Sequence, residues 1–310
     1  MEYAIEIEGL TKTYQDFVAV DSLSLKIEKN HFVGFLGPNG AGKSTTIKML
    51  TNLTKATSGK AFLDGVDVVT NPKKALAGVG AVVETPEFYP YLTPDKSLEY
   101  IAKLRGMKNE DIKKRSTEVL ELVKMEKEKN KKIGTFSKGM KQRVALAQAL
   151  MFDPSIIILD EPTSGLDPRG MVEVREVLLD LKERDLTVFM SSHLLNEVYG
   201  LCDSVAMMNH GKLLLNKTVE ELKGSIEVSR IQIETIKKVD ETRLKKLAEF
   251  PHVLGVEPSH SNQFVVEFKG SVEDRNALLR NIDSDLNVTA FFEAGNPLEE
   301  LYMGLIKESR

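Results

Sequence analysis

The chain has 310 residues and a single cysteine, Cys202, so no disulfide can form within it. Its stability must come from a core, and the cysteine usage fits a reducing compartment. No apolar run approaches the roughly 18 residues that a bilayer crossing needs, so any work at a membrane is expected to run through another chain. An excess of positive charge is also missing. The 42 Lys and Arg stand against 46 Asp and Glu, a net charge of −4. That removes any bulk pull toward nucleic acid or an anionic bilayer, and no nucleic-acid partner is expected. The first residues, Met1-Glu2-Tyr3-Ala4-Ile5-Glu6, are acidic and alternating, and read as a strand rather than a signal peptide. Internal repeats and low-complexity tracts are absent. What is there is ordinary for a globular protein: 42% hydrophobic and 28% charged residues. The length leaves room for about two domains.

Hydrophobic periodicity divides the chain. Residues 3–7 and 18–27 alternate as strands of an antiparallel edge layer. Residues 31–36, 77–83, 153–160 and 187–191 are short, nearly continuous apolar runs of the kind buried in a parallel sheet. Helical patterns fall between them, at 42–50, 169–184 and 194–201. A strongly charged helical stretch begins at 94, and the run 124–132 reads as a solvated helix face. His210-Gly211 separates two strand-like runs, 205–209 and 212–215, as a hairpin turn would. The alternation predicts an α/β core with a parallel sheet over 1–220, carrying a helical subdomain at about 94–145. From 224 the pattern changes to strand (226–236), helix (241–250), strand (263–268), helix (272–282), strand (288–292) and a closing amphipathic helix (298–306). This predicts a small α+β domain over 224–310, with a tail folded back on the core as the alternative. It carries no metal spacing, nucleophile or phosphate loop, which leaves a regulatory or dimer-stabilising role.

Gly37-Pro38-Asn39-Gly40-Ala41-Gly42-Lys43-Ser44 fits the pattern G-x-x-x-x-G-K-[ST], after an apolar strand and before a helix. Glycines let successive backbone N–H groups turn inward onto phosphate oxygens, and the helix N-terminus adds its positive dipole end. Lys43 is then expected at the β- and γ-phosphates of ATP, Ser44 at Mg²⁺ and Thr45 near the α-phosphate. The run Ile156-Ile157-Ile158-Leu159 delivers two adjacent carboxylates, Asp160 and Glu161, at the carboxyl end of its strand, where open α/β sheets bind ligands. Asp160 suits the Mg²⁺ shell, and Glu161 suits the orientation and activation of an attacking water. Upstream, Phe136-Ser137-Lys138-Gly139-Met140 is a Ser/Gly turn at the head of a helix beginning near Lys141, a ready anion site.

In this order, these segments resemble the phosphate loop, signature turn, Walker B strand and D-loop (Gly165-Leu166-Asp167) of ABC-type ATPases. The resemblance covers nearly all of residues 1–220. It implies the P-loop ABC-ATPase fold: a parallel sheet with an antiparallel β layer and a helical subdomain. It implies that His193, after the strand ending Ser191-Ser192, contacts the γ-phosphate, and that Tyr14 stacks on adenine. It implies that Ser137 and Gly139 bind ATP held on the phosphate loop of a second copy, so that two chains sandwich two ATP molecules head to tail, with Asp167 at the interface. Lys138 and Met140 depart from the commonest signature. Glu84 stands where the family normally has glutamine, at a loop that serves the Mg²⁺ shell and the membrane subunit; a carboxylate there could ligate the metal directly. Glu84, the signature variant and the tail Asn296–Leu305 resemble the branch of bacitracin and peptide-antibiotic resistance exporters. The resemblance therefore implies an ATP-hydrolysing motor subunit, with integral membrane permease chains encoded separately, peripheral on the cytoplasmic face of the membrane. Two alternatives stand beside it. A soluble ABC ATPase of a non-transport process would, where it acts on DNA or ribosomes, carry coiled-coil insertions or two cassettes. A P-loop kinase would lack the signature turn and the Asp160-Glu161 pair.

Overall fold

The computed structural model describes residues 3–224, 228–260, 262–293 and 304, and the chain divides into two compact units, Met1–Val219 and Glu220–Arg310. The helix expected over 298–306 and the tail from 296 to 305, Gly304 apart, lie outside the described residues, as do the strand residues 226 and 227.

In the first unit, Tyr3–Tyr14 and Phe17–Glu28 form a long antiparallel hairpin. Two strands that the hydrophobic pattern did not reveal, Ser58–Leu63 and Val66–Asp67, extend it to a four-stranded layer. Ile5, Ile7, Leu23, Leu25 and Ile27 point inward from this layer. They share one core with Val33 and Phe35 of the central sheet and with Ile47 and Leu50 of the helix Lys43–Leu50. Each such buried side chain contributes about 1.5–3 kcal/mol.

The central sheet has six strands in the order Lys212–Thr218, Ser204–Asn209, Phe32–Leu36, Thr187–Ser192, Ile156–Leu159, Val79–Val82. All neighbours are parallel except the first pair, which is antiparallel across His210-Gly211, both at positive φ as a tight hairpin turn requires. Three strands, Phe32–Leu36, Ile156–Leu159 and Thr187–Ser192, are buried at every position, which explains the apolar runs of the first two and the Val188-Phe189-Met190 centre of the third. Leu36 is in register with Ser192, and Leu159 with Met190, so the three chains leave the sheet along one edge. That edge carries the loops starting at Gly37, Asp160 and His193.

The helices Pro94–Leu104, Asn109–Leu122 and Lys138–Leu150 pack against one another, while the helices Lys43–Leu50 and Pro168–Lys182 follow strands of the central sheet. The charged run after Lys124 is not a helix face: only Glu126–Glu128 is helical, as one 3-10 turn. The expected helix at 194–201 is also shorter, Leu195–Val198.

The second unit is a four-stranded antiparallel sheet in the order Val253–His260, Gln263–Phe268, Ser229–Thr235, Val288–Glu293. With the helices Glu241–Ala248 and Val272–Leu286 between strands, the chain order is β-α-β-β-α-β, the split βαβ arrangement. Ile231, Ile233, Phe264, Val266 and Phe268 meet Leu278, Ile282 and Leu286 in a core of its own. Val272–Leu286 starts in a full capping box, with Ser271 and Asp274 satisfying each other's backbone N–H.

Candidate nucleotide site

The phosphate loop bridges the buried strand Phe32–Leu36 and the helix Lys43–Leu50. Gly42 caps that helix in a left-handed conformation, φ +106°, and a Cβ there would lie 2.4 Å from the Ala19 carbonyl oxygen. No side chain fits that position, so the glycine is dictated by the path of the chain. Lys43 is only 4% exposed. Its ammonium donates to the Gly37 carbonyl at 2.7 Å and the Pro38 carbonyl at 3.1 Å, and faces Glu161 Oε1 at 3.5 Å. The loop thus curls around its own lysine. Burial pushes the Lys43 pKa below its ordinary value, against the opposing pull of Glu161 and Asp160.

Asp160 is nearly buried, and its Oδ1 accepts from Ser44 Oγ at 3.0 Å and from Ser191 Oγ at 2.6 Å. The next residue, Glu161, adopts φ +46°, a costly conformation for a non-glycine residue. Ser191 holds it there, its hydroxyl accepting the Glu161 N–H at 2.9 Å. Glu161 Oε2 lies 3.2 Å from His193 Nδ1. The residues singled out on three separate loops, Lys43, Ser44, Asp160, Glu161 and His193, therefore converge in one place.

Others are placed differently. Glu84, also at positive φ (+63°), pairs with Lys48 on the phosphate-loop helix and raises the lysine's pKa. It still lines the same open cleft of about 270 Å³ as Ser44, Asp160, Glu161, Lys138, Lys141 and Gln142. Ser137 caps the helix Lys138–Leu150, accepting from the Met140 N–H at 3.2 Å, so this helix starts three residues before the expected Lys141. Gly139 lets that helix approach Gly170, because a Cβ would lie 2.9 Å from the Gly170 Cα. Asp167 likewise caps Pro168–Lys182 through the Gly170 N–H at 3.2 Å. Tyr14 is half exposed, with the Lys12 ammonium 4.7 Å from its ring centre. Ser191 is a participant that sequence reasoning missed. Its signal was faint: a hydroxyl at the end of a fully buried strand, where only a polar partner makes it tolerable.

Three comparisons bear on this geometry. A family model described as ABC transporter matches residues 20–164. The bacitracin transport ATP-binding protein BcrA of Bacillus licheniformis is 43% identical over 72% of this chain and 72% of its own length. YxlF of Bacillus subtilis, described as an uncharacterized ABC transporter ATP-binding protein, is 33% identical over 97% of this chain and 99% of its own. Among solved structures, an ATP-binding cassette in a dimeric post-hydrolysis state, bound to ADP and Pi, matches with a TM-score of 0.62 at 29% identity. That match covers 69% of this chain and 98% of the other.

Proposed function

The chain belongs to the ABC transporter ATP-binding family, and from that premise we propose that it is the motor subunit of an exporter, driving transport through separate membrane-spanning chains. As an ABC-type ATPase it binds and hydrolyses ATP. The observation that carries the reading is the convergence of Lys43, Ser44, Asp160, Glu161 and His193 at the carboxyl edge of the sheet.

The loop Gly37–Gly42 would wrap the phosphates with its N–H groups, and Thr45 would lie near the α-phosphate. Lys43, released from the Gly37 and Pro38 carbonyls, would move its charge to the β- and γ-phosphates. Ser44 and Asp160 fit Mg²⁺, since two hard oxygen donors 3.0 Å apart at a cleft leave room for waters and phosphate oxygens. Glu84 could join them by letting go of Lys48. Held there, the metal would supply neutralisation of the phosphate charge. Glu161 would accept a proton from the attacking water and hold it in line. His193 would contact the γ-phosphate on the side where it meets Glu161. Adenine would stack on the Tyr14 face away from Lys12.

Ser137 and Gly139 would complete this site in a second copy, with Asp167 at the seam, so that the working unit is a head-to-tail dimer. The dimeric ADP and Pi-bound cassette supports this arrangement. A transport role is supported by the name of the BcrA relative, a bacitracin transport ATP-binding protein, and the export direction rests on the resemblance of the Glu84 loop and the signature variant to the exporter branch. Among the described residues no helix is long and apolar enough to cross a membrane; in this reading separate permease chains carry the path and this chain works at the cytoplasmic face. Fractionation tests this. The chain should sediment with washed membranes and be released by alkaline carbonate; recovery wholly in the supernatant of a gentle lysis would overturn the transport reading.

A further inference from the structure

The Glu161–His193 contact joins two loops that have no backbone bond to each other at that point, so something must hold them in register. One tether is Ser191, already described. A second lies on the other side. Glu197 sits in the helix Leu195–Val198, and its two carboxylate oxygens reach two different loops. Oε1 accepts from Thr163 Oγ1 at 2.5 Å, and Oε2 accepts from Ser192 Oγ at 2.6 Å. Thr163 lies two residues beyond Glu161, across Pro162, whose ring fixes the intervening φ. Ser192 immediately precedes His193 and also accepts the Leu194 N–H at 2.9 Å.

Four residues of helix are too few to be stable alone. Arg175 of the helix Pro168–Lys182 anchors this one, donating to the carbonyls of Asn196 at 3.1 Å and Tyr199 at 3.0 Å. Glu197 is therefore a carboxylate on a fixed mount. Its charge-assisted bonds are of the strong kind, and each oxygen is taken by a hydroxyl of a different loop.

We propose that Glu197 is a positioning residue for ATP hydrolysis: by clamping Thr163 to Ser192 it sets the distance and angle between Glu161 and His193. The inference rests on the assignment of Glu161 and His193 to the hydrolytic step. Without the clamp, the strained Glu161 backbone keeps its bonds to Ser191 and Ser164, but the Thr163–Ser192 tie between the two loops is lost and the pair drifts apart. A displacement of about 1 Å at a reacting group costs up to about 100-fold in rate. Ground-state binding of the nucleotide rests mainly on the phosphate loop and Tyr14, which the clamp does not touch, so it should change little.

The test uses the full chain with steady-state and single-turnover ATP hydrolysis, and nucleotide affinity measured separately. Glu197→Ala should lower kcat by about 10- to 100-fold, with the ATP Kd within about twofold of the parent. Glu197→Gln should recover most of the rate, because an amide can accept from one hydroxyl and donate to the other. In a Glu161→Gln background, Glu197→Ala should add less than about a twofold further loss, since the clamp acts through Glu161. Unchanged kcat in Glu197→Ala overturns the proposal, as does a loss expressed wholly in Kd. Loss of the same factor in the Glu161→Gln background also overturns it. If Glu197→Ala melts early, Thr163→Val and Ser192→Ala, each removing one arm, should show the same kcat-only loss; normal kcat in both sinks the clamp. Parental turnover in Glu161→Gln alone would instead refute the base assignment, a separate failure.

Discussion

Replacing Glu161 by glutamine removes one negative charge and almost nothing else. Glutamine has the same shape, and its carbonyl oxygen can keep a contact to Lys43, 3.5 Å away, or to His193, 3.2 Å away. The loss of activity then reports on charge and proton acceptance rather than on collapse of the site. A positioned general base contributes about 10²–10⁴-fold, equivalent to about 2.7–5.4 kcal/mol of barrier. Binding should move the other way. At an effective dielectric constant near 20, unit charges 3.5 Å apart attract by about 5 kcal/mol at most, and a triphosphate must compete with Glu161 for the Lys43 charge. Glu161→Gln therefore frees Lys43 for the nucleotide and removes a repulsion from the phosphates. ATP affinity should hold or rise, and ATP should trap a dimer visible by size-exclusion chromatography. Lys43 also gives a pH signature. Burial already lowers its pKa and Glu161 opposes that shift, so without the carboxylate the pKa falls further. The alkaline limit of ATP binding should move to lower pH. Phosphate release within about threefold of the parent, from a chain that stays monomeric in ATP, would refute both the base role and the sandwich.

Other outcomes are equally specific. Glu84→Gln should retain ATPase activity while loosening the tie to Lys48, read as a lowered Lys48 pKa by NMR; complete loss of hydrolysis would show that the carboxylate itself is needed. Gly42→Ala puts a methyl 2.4 Å from the Ala19 carbonyl and forces φ +106° on alanine, so it should cost about 1–3 kcal/mol in urea unfolding and abolish ATP binding. Lys103 and Lys96 hold the Glu99 pKa down at about 2. The pairs are solvent-facing, so their stabilisation is small after screening. A depressed carboxylate stabilises the fold above its unfolded pKa. The stability gap between the parent and Glu99→Gln should therefore be full above pH 4.5, shrink as pH falls toward 2, and vanish in high salt.

Much of the molecule is legible in one dimension. The phosphate loop announces itself because backbone N–H groups can converge on phosphate only where glycines remove side chains. The run Ile156–Leu159 is apolar throughout because both of its faces are covered. What stayed hidden is equally physical. Ser58–Leu63 has an exposed first half and no alternation. Val253–His260 is an edge strand carrying Gly255 and Pro258, residues that argue against a strand yet are tolerated where only one neighbour is paired. The charged run after Lys124 looked helical in composition, but composition does not say where a helix stops.

The sequence by itself determined the family, the phosphate loop, the Asp160-Glu161 pair and the α/β core, because each rests on neighbouring residues with a fixed chemistry. Tertiary structure decided how those pieces are held. The Ser191 hydroxyl donates to Asp160 from the neighbouring strand, Glu84 is tied to Lys48, and Glu197 spans Thr163 and Ser192. Those pairs lie about thirty residues apart or more, except Ser192 with Glu197, and no periodicity links them. Only the parallel register, which brings the ends of three strands to one edge, makes them neighbours.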